Sequence, residues 1–137
     1  MSDVGAIAEI RAAAAEWHCG EPAFHYEQAL AALGACTEHA IAVLGVEVLR
    51  PEHGAYEVVT YSSYDAGETG RGLQALRDTH GWPAYVSRNN ALAEGFIRAE
   101  TRPRPFLYLL TTASREEAEP GAPAGRHGTR RGQARRN

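Results

Sequence analysis

The chain has 137 residues, of which 44% are apolar and 23% charged, with a formal charge of −3. That is enough for one domain with a real core, or one domain and a tail. No run approaches the ~20 apolar residues needed to span a bilayer, and two cysteines, Cys19 and Cys36, make no disulfide framework.

Residues 4–18 carry Ile7, Ile10, Ala14 and Trp17 at spacings of three and four among helix-favouring alanines. This predicts a helix with a narrow apolar seam. Asp3, Glu9 and Arg11 interrupt the apolar run that a secretory signal needs, so a cytoplasmic protein with reduced thiols is expected. Gly20 and Pro22 break the chain. Tyr26, Leu30, Leu33, Thr37, Ile41 and Leu44 then predict a second helix over 23–44. Gly34 either marks close packing or splits it, and Gly45 is placed as its C-cap.

VEVLR (46–50) and AYEVVTYSS (55–63) are rich in strand formers and predict a β-hairpin across a four-residue PEHG loop. Residues 65–81, with four glycines, form a long connection with one helical turn near Leu73–Arg77. The stretch WPAYVSRNNALAEGFI (82–97) predicts an amphipathic helix running to about Glu100, which Pro103 and Pro105 close off. FLYLLTT (106–112) is apolar on both faces and predicts a central, buried strand. If that strand lies parallel to its predecessor, the intervening helix makes a right-handed crossover.

From Arg115 no large apolar residue occurs, so residues 115–137 are expected to be a disordered Arg/Gly/Pro-rich tail. The predicted fold class is α+β: a single globular domain over 1–114, with two N-terminal helices, a hairpin, a helix and a central strand. Its sheet is small, three-stranded or slightly larger, with helices packed on one face. The charge is split. Residues 1–114 hold 8 arginines against 14 carboxylates, net −6, and residues 115–137 hold 6 against 3, net +3. All 14 basic side chains are arginine, a bias that fits a high-GC bacterial genome. An acidic body disfavours nucleic acid, because phosphate contacts need clustered cations. The tail lacks the interleaved aromatics that stack on bases, which leaves it weak contacts at most.

His18, Cys19, His25, Cys36 and His39 resemble metal ligands in type. On one helix, however, His25 and His39 would stand about 21 Å apart at 1.5 Å per residue. Neither a metal site nor a cofactor is expected. Cys19 has only its sequence neighbour His18 as a candidate base. GETGRG (67–72) lacks both the P-loop lysine and the dinucleotide spacing. No carboxylate pair or triad with suitable spacing marks an enzyme.

The strongest binding candidates are Glu47 in its apolar strand, the hydroxyl-rich strand end Tyr61–Tyr64 running into Asp65, and Trp82, Tyr85 and Asn89 on the following helix. Tyrosine and tryptophan give rigid contact area with a polar handle. Asn89 lies on the oily helix face beside Asn90. A buried amide without partners costs roughly 1–3 kcal/mol, so Asn89 is expected to be a hydrogen-bonded strut between helix and sheet.

In size, acidic charge and α+β layout, residues 1–114 resemble the small intracellular immunity proteins that neutralise bacterial toxins. The resemblance implies an inhibitor that steers a basic toxin or enzyme by charge, with Glu47, Tyr61, Tyr64, Asp65 and Trp82 as contacts. The alternative is a small-molecule site or small enzyme. Its pocket would lie between the sheet and helix 82–97, lined by Tyr61, Trp82, Tyr85 and Asn89, with Glu47 or a histidine as base. Self-association through the same patch is the third possibility.

Overall fold

The computed structural model describes residues 3–69 and 71–118, leaving aside the side chains of residues 3, 4, 61, 68, 69, 71 and 72. In chain order the elements are α1 (Asp3–Ala12), β1 (Glu16–His18), β2 (Glu21–Phe24), α2 (Tyr26–Glu38), β3 (Ala42–Glu52) and β4 (Ala55–Asp65). They continue with α3 (Ala66–Thr69), α4 (Arg71–His80), α5 (Trp82–Ala99), β5 (Leu107–Ala113) and α6 (Arg115–Ala118). The class is α+β. The sheet has five strands in the order β1-β2-β5-β3-β4, every pair antiparallel, two more than the three expected at the least.

The two additional strands lie at the junction of the two predicted N-terminal helices, 4–18 and 23–44, around the break at Gly20 and Pro22. α1 stops at Ala12, and the Ala15 N–H bonds the Ala23 carbonyl instead of an intrahelical one (2.9 Å). Cys19 (φ 52°) and Gly20 (φ 79°) are both left-handed and join β1 to β2 in a two-residue turn. Alanine's helix preference is worth only tenths of a kcal/mol per residue. Burial of the whole of β2 against β5 outweighs it.

The second helix is shorter than 23–44. Ala29, Ala32, Leu33 and Cys36 face inward, and the helix ends with Ala40 left-handed (φ 55°). The Ile41 N–H reaches the Cys36 carbonyl (2.8 Å) and the Ala40 N–H the Thr37 carbonyl (3.3 Å), a Schellman end. Gly45 is therefore not the cap. It lies in β3, just past an irregularity in the β3–β5 register at Val43/Gly45. The β3–β4 loop is tighter than four residues: Glu52 pairs with Ala55 across His53 (φ 48°) and Gly54 (φ 81°). The long connection of 65–81 is largely helical, as α3 and α4.

β5 holds the central position expected of it, and all seven of its residues are buried. It runs antiparallel to β3, which itself runs antiparallel to β4, so β5 lies parallel to β4 with β3 between them and the helices α3–α5 make the crossover. α5 decides this. Its 18 residues span about 27 Å. It starts beside Ala40, at the beginning of β3, and ends beside Tyr108, which pairs with Val48 far along that strand. The chain can only return in the opposite direction.

The main core lies between one sheet face and α1, α2 and α5: Ile7, Phe24, Leu33, Val46, Ile97, Tyr108 and Leu110 are among its members. Ala23, Leu49, Leu107 and Leu109 form a smaller cluster on the other face, flanked by Tyr56 and Val58. α6 occupies the first four residues of the segment expected to be an unstructured tail. Ser114 and Glu117 cap each other reciprocally there: the Ser114 N–H donates to Glu117 Oε1 (2.9 Å) and the Glu117 N–H to Ser114 Oγ (3.2 Å). The remainder of that segment lies outside the described residues.

Candidate functional site

β3 begins before β4 can cover it. The β3–β4 ladder runs from Gly45/Asp65 to Glu52/Ala55, so Ala42 and Val43 have β5 on one side and no strand on the other. A strand residue points its N–H and C=O to the same side. Two side chains of α5 meet those of Val43. Asn90 Oδ1 accepts from the Val43 N–H (2.9 Å), and Asn89 Nδ2 donates to the Val43 carbonyl (2.9 Å). Asn90 Nδ2 donates to the Ile41 carbonyl (2.9 Å) and to Thr37 Oγ1 (3.0 Å), while Asn89 Nδ2 also donates to Asn90 Oδ1 (3.0 Å). The Tyr64 hydroxyl donates to Asn89 Oδ1. Both asparagines are fully buried, and every amide oxygen and nitrogen has a partner.

The pair does the work of a short strand. It continues the sheet's hydrogen bonding where β4 has ended and ties α2, α5, β3 and β4 at one point. Asn89 is thus the strut its position suggested. Asn90, with more backbone partners, is the stronger half.

The aromatic residues at the start of α5 serve the same junction. The Trp82 indole N–H donates to the Ala40 carbonyl (2.6 Å), and its ring stacks on Tyr85 at 5.3 Å. The Arg77 guanidinium lies over both rings, 5.0 Å from Trp82 and 5.9 Å from Tyr85. Burial pushes the Tyr85 hydroxyl above its ordinary pKa, with Arg77 opposing. Ala42, Leu73 and Val86 complete this cluster.

Of the seven residues singled out as binding candidates, Tyr64, Trp82, Tyr85 and Asn89 therefore come together, and they do so inside the molecule. Asp65 Oδ1 accepts from the Gly67 N–H (2.8 Å) and opens α3. The Tyr61 side chain lies outside the described residues. Among those described, the space between α5 and the sheet is filled by core side chains.

Glu47 is on the sheet face opposite the main core, since Val46 and Val48 on either side of it face the helices. Its company there was not legible in the sequence. Glu21 and Thr111 are in cross-strand register on the same face, with the Thr111 hydroxyl donating to Glu21 Oε1 (2.7 Å). Glu21 and Glu47 are each 8% exposed. Only the β2–β5–β3 order reveals that residues so far apart in sequence share a face.

Among the described residues no group of three or more His, Cys, Asp or Glu side chains is placed to hold a metal ion. Cys36 is fully buried, and desolvation pushes its thiol up to about 12 against a weaker opposing pull from Arg11. Such a thiol is no nucleophile. Cys19 is exposed at the tip of the β1–β2 turn.

The outer surface shows one conspicuous side chain. Trp17 in β1 is 53% exposed, the large apolar residue among those described that is left in water. Beneath it is a cleft of about 70 Å³ bounded by Arg11, Pro22, Leu110 and Thr112. That volume is well short of the ~300 Å³ at which small-molecule pockets begin. Arg11 is held in place: its guanidinium donates to the Thr112 carbonyl (3.2 Å) and Oγ1 (3.1 Å) and pairs with Glu117 at 3.8 Å. No described helix is long and apolar enough to cross a membrane. No family model, curated protein or solved structure matches this chain.

Proposed function

We propose that this chain is a small intracellular protein-binding module, an acidic bacterial inhibitor of the immunity type that neutralises a basic toxin or enzyme. The observation that carries this reading is Trp17: a large indole half in water, over a cleft too small for a metabolite. Tryptophan is among the residues that dominate binding at protein interfaces. The acidic body, net −6 over residues 1–114, supplies long-range attraction for a basic partner.

Consumption of the other candidate groups supports the same reading. The asparagine pair, Trp82 and Tyr64 make their hydrogen bonds within the molecule, so these four are not left over to recognise a ligand under α5. Cross-linking in the native cell, followed by titration of the captured protein, tests the proposal. The expected result is a 1:1 complex with a partner of net positive charge, whose affinity falls at least tenfold between roughly 0.05 and 0.5 M salt. Salt-independent binding would remove the charge argument. A co-purifying small molecule without any protein partner would overturn the reading itself.

A further inference from the structure

The sheet has two outer strands, and they differ. β4 is long, but its pairing with β3 slips by three residues between Glu47/Ser63 and Leu49/Val58. Such an irregularity bends a strand and spoils its edge as a template. β1 is short and carries Trp17 at its centre.

The turn at Cys19–Gly20 fixes which way the backbone of Trp17 faces. In a two-residue hairpin the pair beside the turn, His18 and Glu21, exchanges hydrogen bonds, and the next pair, Trp17 and Pro22, does not. Pro22 has no N–H to offer, in keeping with that phase. The N–H and C=O of Trp17 therefore point away from β2, to the open edge. Its ring shares the helix-bearing face with Pro22 and Leu110, beside the 70 Å³ cleft.

Charge selects the occupant. Residues 1–30 hold Asp3, Glu9, Glu16, Glu21 and Glu27 against Arg11 alone, net −4. Glu9, Glu16 and Glu27 are exposed. Two copies meeting here would set one acidic N-terminal segment against another, whereas a basic strand would be drawn in.

Resting on the protein-binding reading above, we propose that β1 is the docking edge and that an extended segment of a basic protein partner adds to the sheet there. The Trp17 N–H and C=O bond the incoming backbone. The indole covers one partner side chain seated in the cleft, and an arginine or lysine flanking it meets Glu16 on β1 itself. Backbone pairing supplies affinity and the cleft selects a small side chain, the division of labour seen when peptides extend a sheet.

The test uses the full chain with two synthetic octapeptides, one alternating Arg and Val, the other Glu and Val, followed by NMR. Exchange of the Trp17 amide, fast in the free protein, is expected to slow at least tenfold with the Arg–Val peptide and not with the Glu–Val peptide. Trp17→Ser is expected to weaken that binding by about tenfold while the Asn89 and Asn90 side-chain resonances stay in place, which certifies the fold. If the Arg–Val peptide binds Trp17→Ser equally and protects amides elsewhere, the edge is wrong and the protein-binding reading survives. If Trp17 is protected on concentrating the chain alone, the occupant is a second copy and the basic partner is wrong. Absence of binding at millimolar peptide overturns the docking edge, and the cross-linking experiment then decides separately whether a protein partner exists.

Discussion

Asn90 illustrates how much one side chain can hold. Its amide satisfies the Val43 N–H and the Ile41 carbonyl, both backbone groups with no strand on that side. Asn90→Ala leaves those two buried groups unpaired, each costing ~1–3 kcal/mol, so the expected loss is about 3 kcal/mol in urea unfolding. Asn89→Ala is expected to cost somewhat less, because it releases one backbone carbonyl and the Tyr64 hydroxyl. A loss below 1 kcal/mol for both would mean that water replaces the amides and the strut is not needed. The sequence made Asn89 visible, because an amide on an oily stripe demands partners. Asn90 was visible beside it, but its partners Val43, Ile41 and Thr37 were not, since they are 47, 49 and 53 residues away.

Cys36 gives a pH prediction with a definite sign. Its thiol titrates at about 12 in the folded protein against 9.0 for the free group, because burial disfavours the thiolate. Above pH ~9 the unfolded chain loses this proton and the folded one keeps it, so the unfolded state binds fewer protons and stability falls with rising pH. The contribution is intact below pH 9 and is lost progressively toward 12. Thermal melts of Cys36→Ala and the parent across pH 8–10.5 measure it: the parent is expected to lose stability more steeply. In the same window a thiol reagent is expected to label Cys19 and spare Cys36, and equal labelling would contradict the burial.

At the scale of elements, α4 and α5 are joined by a single residue with an unusual backbone. Gly81 has φ 89° and ψ 179°, a region open essentially to glycine alone. A Cβ there would meet only Pro83 Cδ, at 3.9 Å, so crowding is not the obstacle. Gly81→Ala is nevertheless expected to cost about 1–3 kcal/mol through backbone strain, read as a lower urea midpoint at unchanged slope. α6 offers a second element-scale test. A chain ending at Ser114 loses the reciprocal cap, the Arg11–Glu117 pair and the Arg77 bond to the Ala118 carbonyl (3.4 Å). It is expected to melt about 4 °C or more below a chain ending at Ala118. Equal melting temperatures would show that α6 adds nothing. The S-x-x-E signature of that cap was present in the sequence. The polar, arginine-rich composition that follows it argued for a tail from Arg115 onward. The β1–β2 hairpin was hidden for a different reason: Ala12–Ala15 favour helix locally, and only the vacancy beside β5 makes two short strands worth more.

For the whole molecule, the apolar periodicity of 82–97 and the two-sided apolar run of 106–112 were sufficient to predict a helix and a buried central strand. Both rest on spacing alone, and spacing survives any arrangement of the remaining chain. The acidic body and its opposite-signed C-terminal segment were also plain, as charge counts need no fold. Strand order, the direction of β5 and the enclosure of Glu21, Glu47 and Thr111 on one face were decided only in three dimensions. Each depends on which strands are neighbours, and that follows from the length of α5 and the direction in which it crosses the sheet. The same holds for Trp17. In the sequence it completes a helical seam, whereas in the structure a two-residue turn rotates it out of that seam and leaves it on an open edge. Local pattern states what a residue prefers, and long-range pairing determines which preferences are overruled.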